Sequence, residues 1–187
     1  IFIVIVLFIA SVFAFMKFAP VFGGRPDVKS KKLIEASPNF NGKVFINLEP
    51  TIDMVKNPQA SMLNFAIQAL FPPKGKLPKR PLPNLKFYAN ALKNGEFIWL
   101  GHVSLICKLD GKIIITDPVL HRAFPLPLGG KPFAYEHAIT ASDYPEVIDI
   151  ALISHDHYDH LDHKTILELK DRIAKFLVPL GVKAHLI

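Results

Sequence analysis

The pattern of apolar and polar positions divides the chain into three stretches. Residues 1–16 carry no charge, and a helix drawn through them is apolar around its whole circumference. Continued through Lys17 to Phe22, such a helix would be about 33 Å long, enough to cross a hydrocarbon core of about 30 Å. Residues 1–22 are therefore expected to form a membrane anchor. Val12-Phe13-Ala14 offers the other reading, a cleaved signal segment. Pro20 and Gly23-Gly24 close this stretch. In residues 23–94, Asn57-Pro58 reads as an N-cap and first helical residue, and the helix would run to Phe71 before Pro72-Pro73 stop it. Ser61, Asn64 and Gln68 form its narrow polar stripe, as on a helix packed against a core or one acting as an interfacial lid. Residues 72–83, with five prolines among Lys and Arg, are expected to be an extended linker.

From Glu96 the rhythm becomes strand and turn. Residues 97–100 and 104–109 are candidate strands, Asp110-Gly111 is a two-residue hairpin turn, and residues 112–116 return antiparallel. After a loop rich in Pro and Gly, residues 148–154 supply another strand. Its core, Ile150-Ala151-Leu152-Ile153, is short, charge-free and expected to be buried on both faces. Asp162 is placed to cap a helix over 163–173, and residues 175–178 form a last strand. The chain shows no internal repeat and no nucleotide-binding glycine loop.

Composition changes this picture in three ways. Half the residues are hydrophobic, enough for a core, while sixteen prolines and ten glycines require many loops. The net charge of +6 raises the question of nucleic acid or an anionic membrane surface. The cations cluster in residues 25–32 and 74–80, with no stripe interleaved with aromatics, so nucleic acid is disfavoured and the clusters read as solvated linkers near lipid head groups. Cys107 is the single cysteine, so there is no Cys-based structural zinc site.

The chemistry concentrates in Ser154-His155-Asp156-His157-Tyr158-Asp159-His160. If the chain leaves the strand still extended, His155, His157 and Asp159 point to one side while Asp156 and Tyr158 face away. His160 breaks the alternation and can reach a second ion beside the first. Imidazoles suit zinc, iron or similar ions, and Asp159 adds a hard oxygen ligand. The plain alternative is a solvated loop rich in His and Asp, or a single structural metal. The metal reading is preferred because the motif follows a strand and precedes a helix.

With these residues stand Trp99-Leu100-Gly101-His102, Leu109-Asp110-Gly111-Lys112, Thr116-Asp117-Pro118 and Ile148-Asp149. Upstream are Phe22-Gly23-Gly24-Arg25-Pro26, Ala36-Ser37-Pro38-Asn39-Phe40 and Asn47-Leu48-Glu49-Pro50-Thr51. Together they resemble the metallo-β-lactamase-fold hydrolases, in the branch of the N-acylphosphatidylethanolamine-hydrolysing phospholipase D and its bacterial relatives. The resemblance implies an α/β (α+β) fold, with residues 95–187 as the N-terminal half of an αββα sandwich, residues 23–94 as a leader and residues 1–22 as the hydrophobic segment. It implies that the further His, bridging Asp and last His of such a site lie in a second half, so the chain reads as a fragment.

The resemblance also assigns roles. His155 and His157 would hold one ion, Asp159 and His160 the other, with two Zn2+ expected and other transition metals possible. Asp117 would orient the loop histidines, although by composition alone it is a turn residue. Asp159 and His102 are the catalytic candidates, and His102 reads equally as a hydrogen-bonded histidine on the rim. His121 and His137 depart from the branch's wording, His163 reads as a helix-start residue, and His185 has no assignment. The function implied is a membrane-associated hydrolase of an N-acylphosphatidylethanolamine-type phosphodiester. A lactonase or another phosphodiesterase of the same fold is the alternative, and a non-catalytic metal-binding or membrane-tethered protein is the reading from another class. Partners would be a membrane lipid or a small ester or phosphodiester; the sequence does not set the oligomeric state.

Overall fold

Three β-branched runs separated by tight turns build one side of a sheet. In the computed structural model, which describes residues 2–51, 61, 63, 64, 67, 68, 71, 73–125 and 130–186, strands β1 (Phe97–Gly101), β2 (Ser104–Leu109) and β3 (Lys112–Thr116) form an antiparallel meander. Asp110 and Gly111 both have positive φ, 47° and 75°. A two-residue turn of that hand matches the twist of the strands it joins. Strand β4 (Ile150–Leu152) then pairs in parallel with β3, and β5 (Phe176–Leu177) in parallel with β4, completing the order β1-β2-β3-β4-β5. The parallel step needs a crossover. Between β4 and β5, helix α3 (His163–Leu169) provides it, with a 3-10 turn over Lys170–Arg172. The helix expected over 163–173 is therefore shorter and tightens at its end.

One face of the sheet holds the core. Ile106, Ile115 and Ala151 are neighbours across β2, β3 and β4 and are fully buried, packed with Ile148, Leu169 and Tyr144. The other face is open: Phe97 is 71% exposed, Trp99 65% and Leu152 37%. The expectation that the β4 run is buried on both faces is thus corrected. Alternation sends Ala151 into the core and Leu152 to the uncovered side.

A second, smaller cluster of Ile153, Leu161, Ile166 and Val182 sits under the loop that follows β4. Asp162 ties this loop down. It caps α3 through the Lys164 N–H, accepts the Thr165 hydroxyl, and receives the backbone N–H groups of Leu120 and His121.

Upstream, the continuous helix expected over residues 1–22 is not observed. Helix α1 (Phe2–Phe18) has 17 residues, Ala19 is extended, and Pro20–Phe22 form a 3-10 turn. Proline at this position fixes φ and lacks the N–H that a continuing helix needs. No helix among the described residues is long and apolar enough to cross a membrane. Helix α2 (Val28–Glu35) follows, capped by Asp27. Most of the helix expected over residues 58–71 lies outside the described residues; Leu63, Asn64, Ile67 and Gln68 are helical.

Two stability experiments follow from these contacts. Replacing Asp162 with alanine removes a cap and leaves the His121 N–H without its acceptor, while the Leu120 N–H keeps Thr165 Oγ1 at 2.9 Å, an expected loss of about 2 kcal/mol in chemical denaturation. Asp162→Asn, which keeps an acceptor oxygen, should lose less. Asp149 accepts from Lys112 Nζ and from the Ile113 N–H, both at 2.9 Å, and these bonds hold its carboxyl below the ordinary 3.8. A depressed carboxyl stabilises the fold above its unfolded pKa, and that contribution is lost as pH falls through the lower folded value. Asp149→Asn should therefore flatten the acid limb of stability against pH while leaving its shape above pH 5 unchanged, within about one unit of the unfolded pKa.

Candidate metal centre

Asp117 ends β3 in a left-handed conformation, with φ 37°, and is 5% exposed. Its backbone is pinned twice: its N–H donates to the Leu152 carbonyl at 2.9 Å and its carbonyl accepts from Ser104 Oγ at 2.6 Å. This directs the carboxylate toward the end of β4. There Oδ1 accepts the Ser154 N–H and Oδ2 accepts the Ser154 hydroxyl, both at 2.7 Å. Oδ2 also lies 3.0 Å from His160 Nδ1. A carboxylate can only accept, so Nδ1 carries the proton and Nε2 keeps its lone pair.

The loop reaches this arrangement by turning. His160 N–H and Leu161 N–H both donate to the His157 carbonyl, at 2.9 and 2.8 Å. The extended alternation expected from His155 onward therefore stops at His157. The turn folds His160 back until its ring centroid is 3.9 Å from that of His155, while His155 and His157 stand 4.5 Å apart. Three imidazoles thus gather at the C-terminal ends of β3 and β4.

The fourth side is supplied by the turn between β1 and β2. Gly101 has φ 105°, and a Cβ there would lie 2.8 Å from the Tyr135 hydroxyl, so only glycine fits without displacement. His102 follows at φ 46°, its carbonyl accepting the Trp99 indole N–H at 2.8 Å. Its Nε2 lies 3.1 Å from Asp159 Oδ2. His102, Asp159 and His160 place one ligand atom each within 4.8 Å of one another. His102 was expected beside the site as a catalytic or rim residue; the structure puts it in the same cluster as two of the expected ligands.

Electrostatics agree with a ligand set ready for a cation. Burial, with His160 and His157 nearby, lowers the His155 pKa and favours the neutral, metal-competent imidazole. Burial alone would raise the Asp159 carboxyl, but its own backbone N–H, His160 and the His102 hydrogen bond bring it below the ordinary value. The donor set is imidazole nitrogen plus carboxylate oxygen, which fits zinc or iron. The orienting contact fits as well, since a ligating histidine ordinarily gives its other N–H to a carboxylate.

Ser154 is the residue that sequence reasoning passed over. Its hydroxyl donates to Asp117 and lies 3.0 Å from both His155 Nδ1 and His160 Nδ1. Its position between a strand and the first histidine was the available signal. The remaining histidines stand apart. His121 Nε2 is 2.9 Å from Glu168 Oε2, His137 pairs through its backbone with Asn84, His163 opens α3, and His185 Nε2 is 3.7 Å from Asp156 Oδ2.

Comparison with known proteins shows what this part of the chain is similar to. The profile described as "Beta-lactamase superfamily domain" matches residues 96–184. An uncharacterized protein of Mycobacterium tuberculosis is 32% identical over 155 residues, covering 81% of this chain and 41% of that protein. The N-acyl-phosphatidylethanolamine-hydrolyzing phospholipase D 1 of Caenorhabditis elegans is 40% identical over 89 residues, 46% of this chain and 24% of the nematode protein. A Streptomyces venezuelae 4-amino-L-phenylalanyl-[CmlP-peptidyl-carrier-protein] 3-hydroxylase is 34% identical over 89 residues, 48% of this chain and 16% of its own. The crystal structure of CmlA, described as a diiron beta-hydroxylase from that organism, covers 46% of this chain and 15% of its own at a TM-score of 0.35. The chain spans about two fifths of the length of the mycobacterial relative. Over residues 96–184 the chain is similar to the beta-lactamase superfamily domain, and its relatives there include an N-acyl-phosphatidylethanolamine-hydrolyzing phospholipase D and metal-dependent hydrolases.

Proposed function

We propose that this chain forms the first half of a two-metal hydrolase site, with zinc as the resident ion and a phosphodiester of the N-acylphosphatidylethanolamine kind as substrate. The observation that carries the reading is the cluster of His102, Asp159 and His160, with His160 oriented by the buried Asp117. In this reading His155 and His157 hold one ion, and Asp159 and His160 the other. Ions so held supply Lewis acidity and lower the pKa of water.

The chain's own residues do the rest. Asp117 keeps the Nδ1 proton on His160 and so presents Nε2. Ser154 ties the same carboxylate to the start of the loop, which makes the loop's first residue and its last histidine move together. His102, whose Nε2 is hydrogen-bonded to Asp159, holds that carboxylate in place and leaves Nδ1 as its proton-handling nitrogen. A cleft of about 540 Å³ opens beside His102 and Asp159, lined by Trp99, Leu100, Val119 and Phe133. Those side chains suit an acyl chain better than a sugar or a base.

Helix α1 supports the lipid reading from a second direction. It is apolar apart from Ser11 as far as Lys17 in its last turn, and it is exposed along its length to Phe18. A helix that is apolar all round is stable when buried in protein or lipid. At 17 residues it measures about 26 Å, so immersion in one leaflet and the head-group boundary is proposed, with the cations of residues 25–32 beside it. A lactonase or another phosphodiesterase would use the same ligands and differ in the lining of the cleft.

Three measurements test this. Elemental analysis of the full-length protein should find about two transition-metal ions per chain, and His155→Ala with His157→Ala should lower metal content and abolish hydrolysis. Full activity in that double variant sinks the assignment. Asp117→Ala should weaken metal binding about 10–100-fold, the usual effect of losing a residue that orients a ligand. Parental affinity would show that the His160 contact is incidental. Finally, phosphatidylcholine vesicles should retain the protein through a high-salt wash, because buried apolar surface is insensitive to screening, and should release it when residues 2–18 are deleted. Release by salt alone would assign attachment to the basic segments.

A further inference from the structure

The loop of metal ligands has a back as well as a front. Asp156 and Tyr158 alternate with His155, His157 and Asp159, and neither joins the ligand cluster. Both are met from behind. The Phe22 and Tyr158 rings meet in a T-shaped arrangement, with centroids 6.5 Å apart and planes at 83°. His185 Nε2 lies 3.7 Å from Asp156 Oδ2.

These two contacts belong to a single assembly. Gly24 N–H donates to the Ala184 carbonyl at 2.8 Å, joining the Phe22-Gly23-Gly24 segment to the 3-10 turn Val182–His185. The fit leaves no room for a side chain. A Cβ on Gly23 would lie 1.6 Å from His185 Nδ1, and one on Gly24 would lie 2.4 Å from the Ala184 carbonyl oxygen. Gly23 also has φ 70°, a conformation that favours glycine. The turn is itself anchored, since Val182 packs with Ile153, Leu161 and Ile166 under the metal loop. The leader residues Phe22-Gly23-Gly24 and His185 are thereby tied to the element they touch.

We propose that Phe22, Gly23 and His185 form a clamp behind the metal-binding loop, positioning residues that hold Tyr158 and Asp156 and thereby fix where His155, His157 and Asp159 point. The clamp explains why a leader segment far from the motif in sequence carries two adjacent glycines after an aromatic residue. It also gives His185 a role: its ring fills the space that Gly23 leaves, and its far nitrogen faces the carboxylate between the first two ligands. The inference rests on the metal-site reading above and adds to it a dependence on residues outside residues 96–184.

Zinc affinity in the full chain, measured by competition with a chromophoric chelator, tests it without reference to turnover. Phe22→Ala and His185→Ala should each weaken zinc binding about tenfold, the lower end of what loss of an orienting contact costs, while the metal-free protein melts close to the parent. His185→Gln, whose amide N–H can still face Asp156, should restore most of the affinity; a purely space-filling role would not separate Gln from Ala in this way. Gly23→Ala should weaken binding and lower the melting temperature, and adding His185→Ala should recover melting but not affinity. If His185→Ala fails to fold, Phe22→Ala and His185→Gln decide. Parental zinc affinity in Phe22→Ala and His185→Ala overturns the clamp. Absence of zinc binding by the parent overturns the metal-site reading instead, so the two failures are distinct.

Discussion

The carboxylate of Asp117 is the point on which the site depends. It is buried, yet accepts three hydrogen bonds, from the Ser154 N–H, the Ser154 hydroxyl and His160 Nδ1. Burying a charge without such partners would cost several kcal/mol, so this constellation is stable only when all three donors are in place. Two come from the residue that leaves β4 and the third from a histidine six positions later. Satisfying one carboxylate therefore closes the loop between them. That closure brings the His155 and His160 rings together, tilted by 47° with centroids 3.9 Å apart, and leaves Asp159 beside His102. The geometry of the ligands is a consequence of where a sheet places one acidic side chain.

The sheet places it through backbone geometry. Asp117 extends the pairing of β3 with β4 by one N–H to the Leu152 carbonyl, then leaves the strand in a left-handed conformation before Pro118. Ser104, opposite on β2, accepts this departure by bonding the Asp117 carbonyl. The same side of the sheet receives the turn between β1 and β2, where Gly101 and His102 both have positive φ and the Trp99 indole holds the His102 carbonyl. Strained positions in non-glycine residues are expected where the surrounding structure fixes a functional group. Two of the three among the described residues, His102 and Asp117, lie in the candidate site.

Much of this was legible in the sequence because it is local. Asp110-Gly111 states its turn in two residues, the β-branched runs on either side state their strands, and Asp162 announces the start of α3. What escaped the reading depends on residues far apart. The turn after His157 cannot be inferred from S-H-D-H-Y-D-H, because the carboxylate that draws His160 back is supplied 43 positions earlier. The approach of His102 to Asp159 spans 57 positions and needs the sheet order that brings β1 and β4 to the same end. The length of α1 was a different kind of error. Hydropathy continues to Phe22, but Pro20 ends the helix, and the residues after it belong to the metal loop's surroundings and not to the apolar segment.

The open face of the sheet has a physical consequence for the whole protein. Phe97, Trp99, Leu152 and Leu177 share the side opposite the Ile106 and Ile115 core, and all are exposed. A contiguous apolar surface of this kind is rare on a soluble monomer. A sheet with an apolar face buries it by packing against another layer of structure. The candidate ligands emerge from the same strand ends that border this face, so a layer covering it would also stand beside the cluster of His102, Asp159 and His160. Covering this face and fixing the candidate ligands would then be a single packing event, driven by the apolar area removed from water.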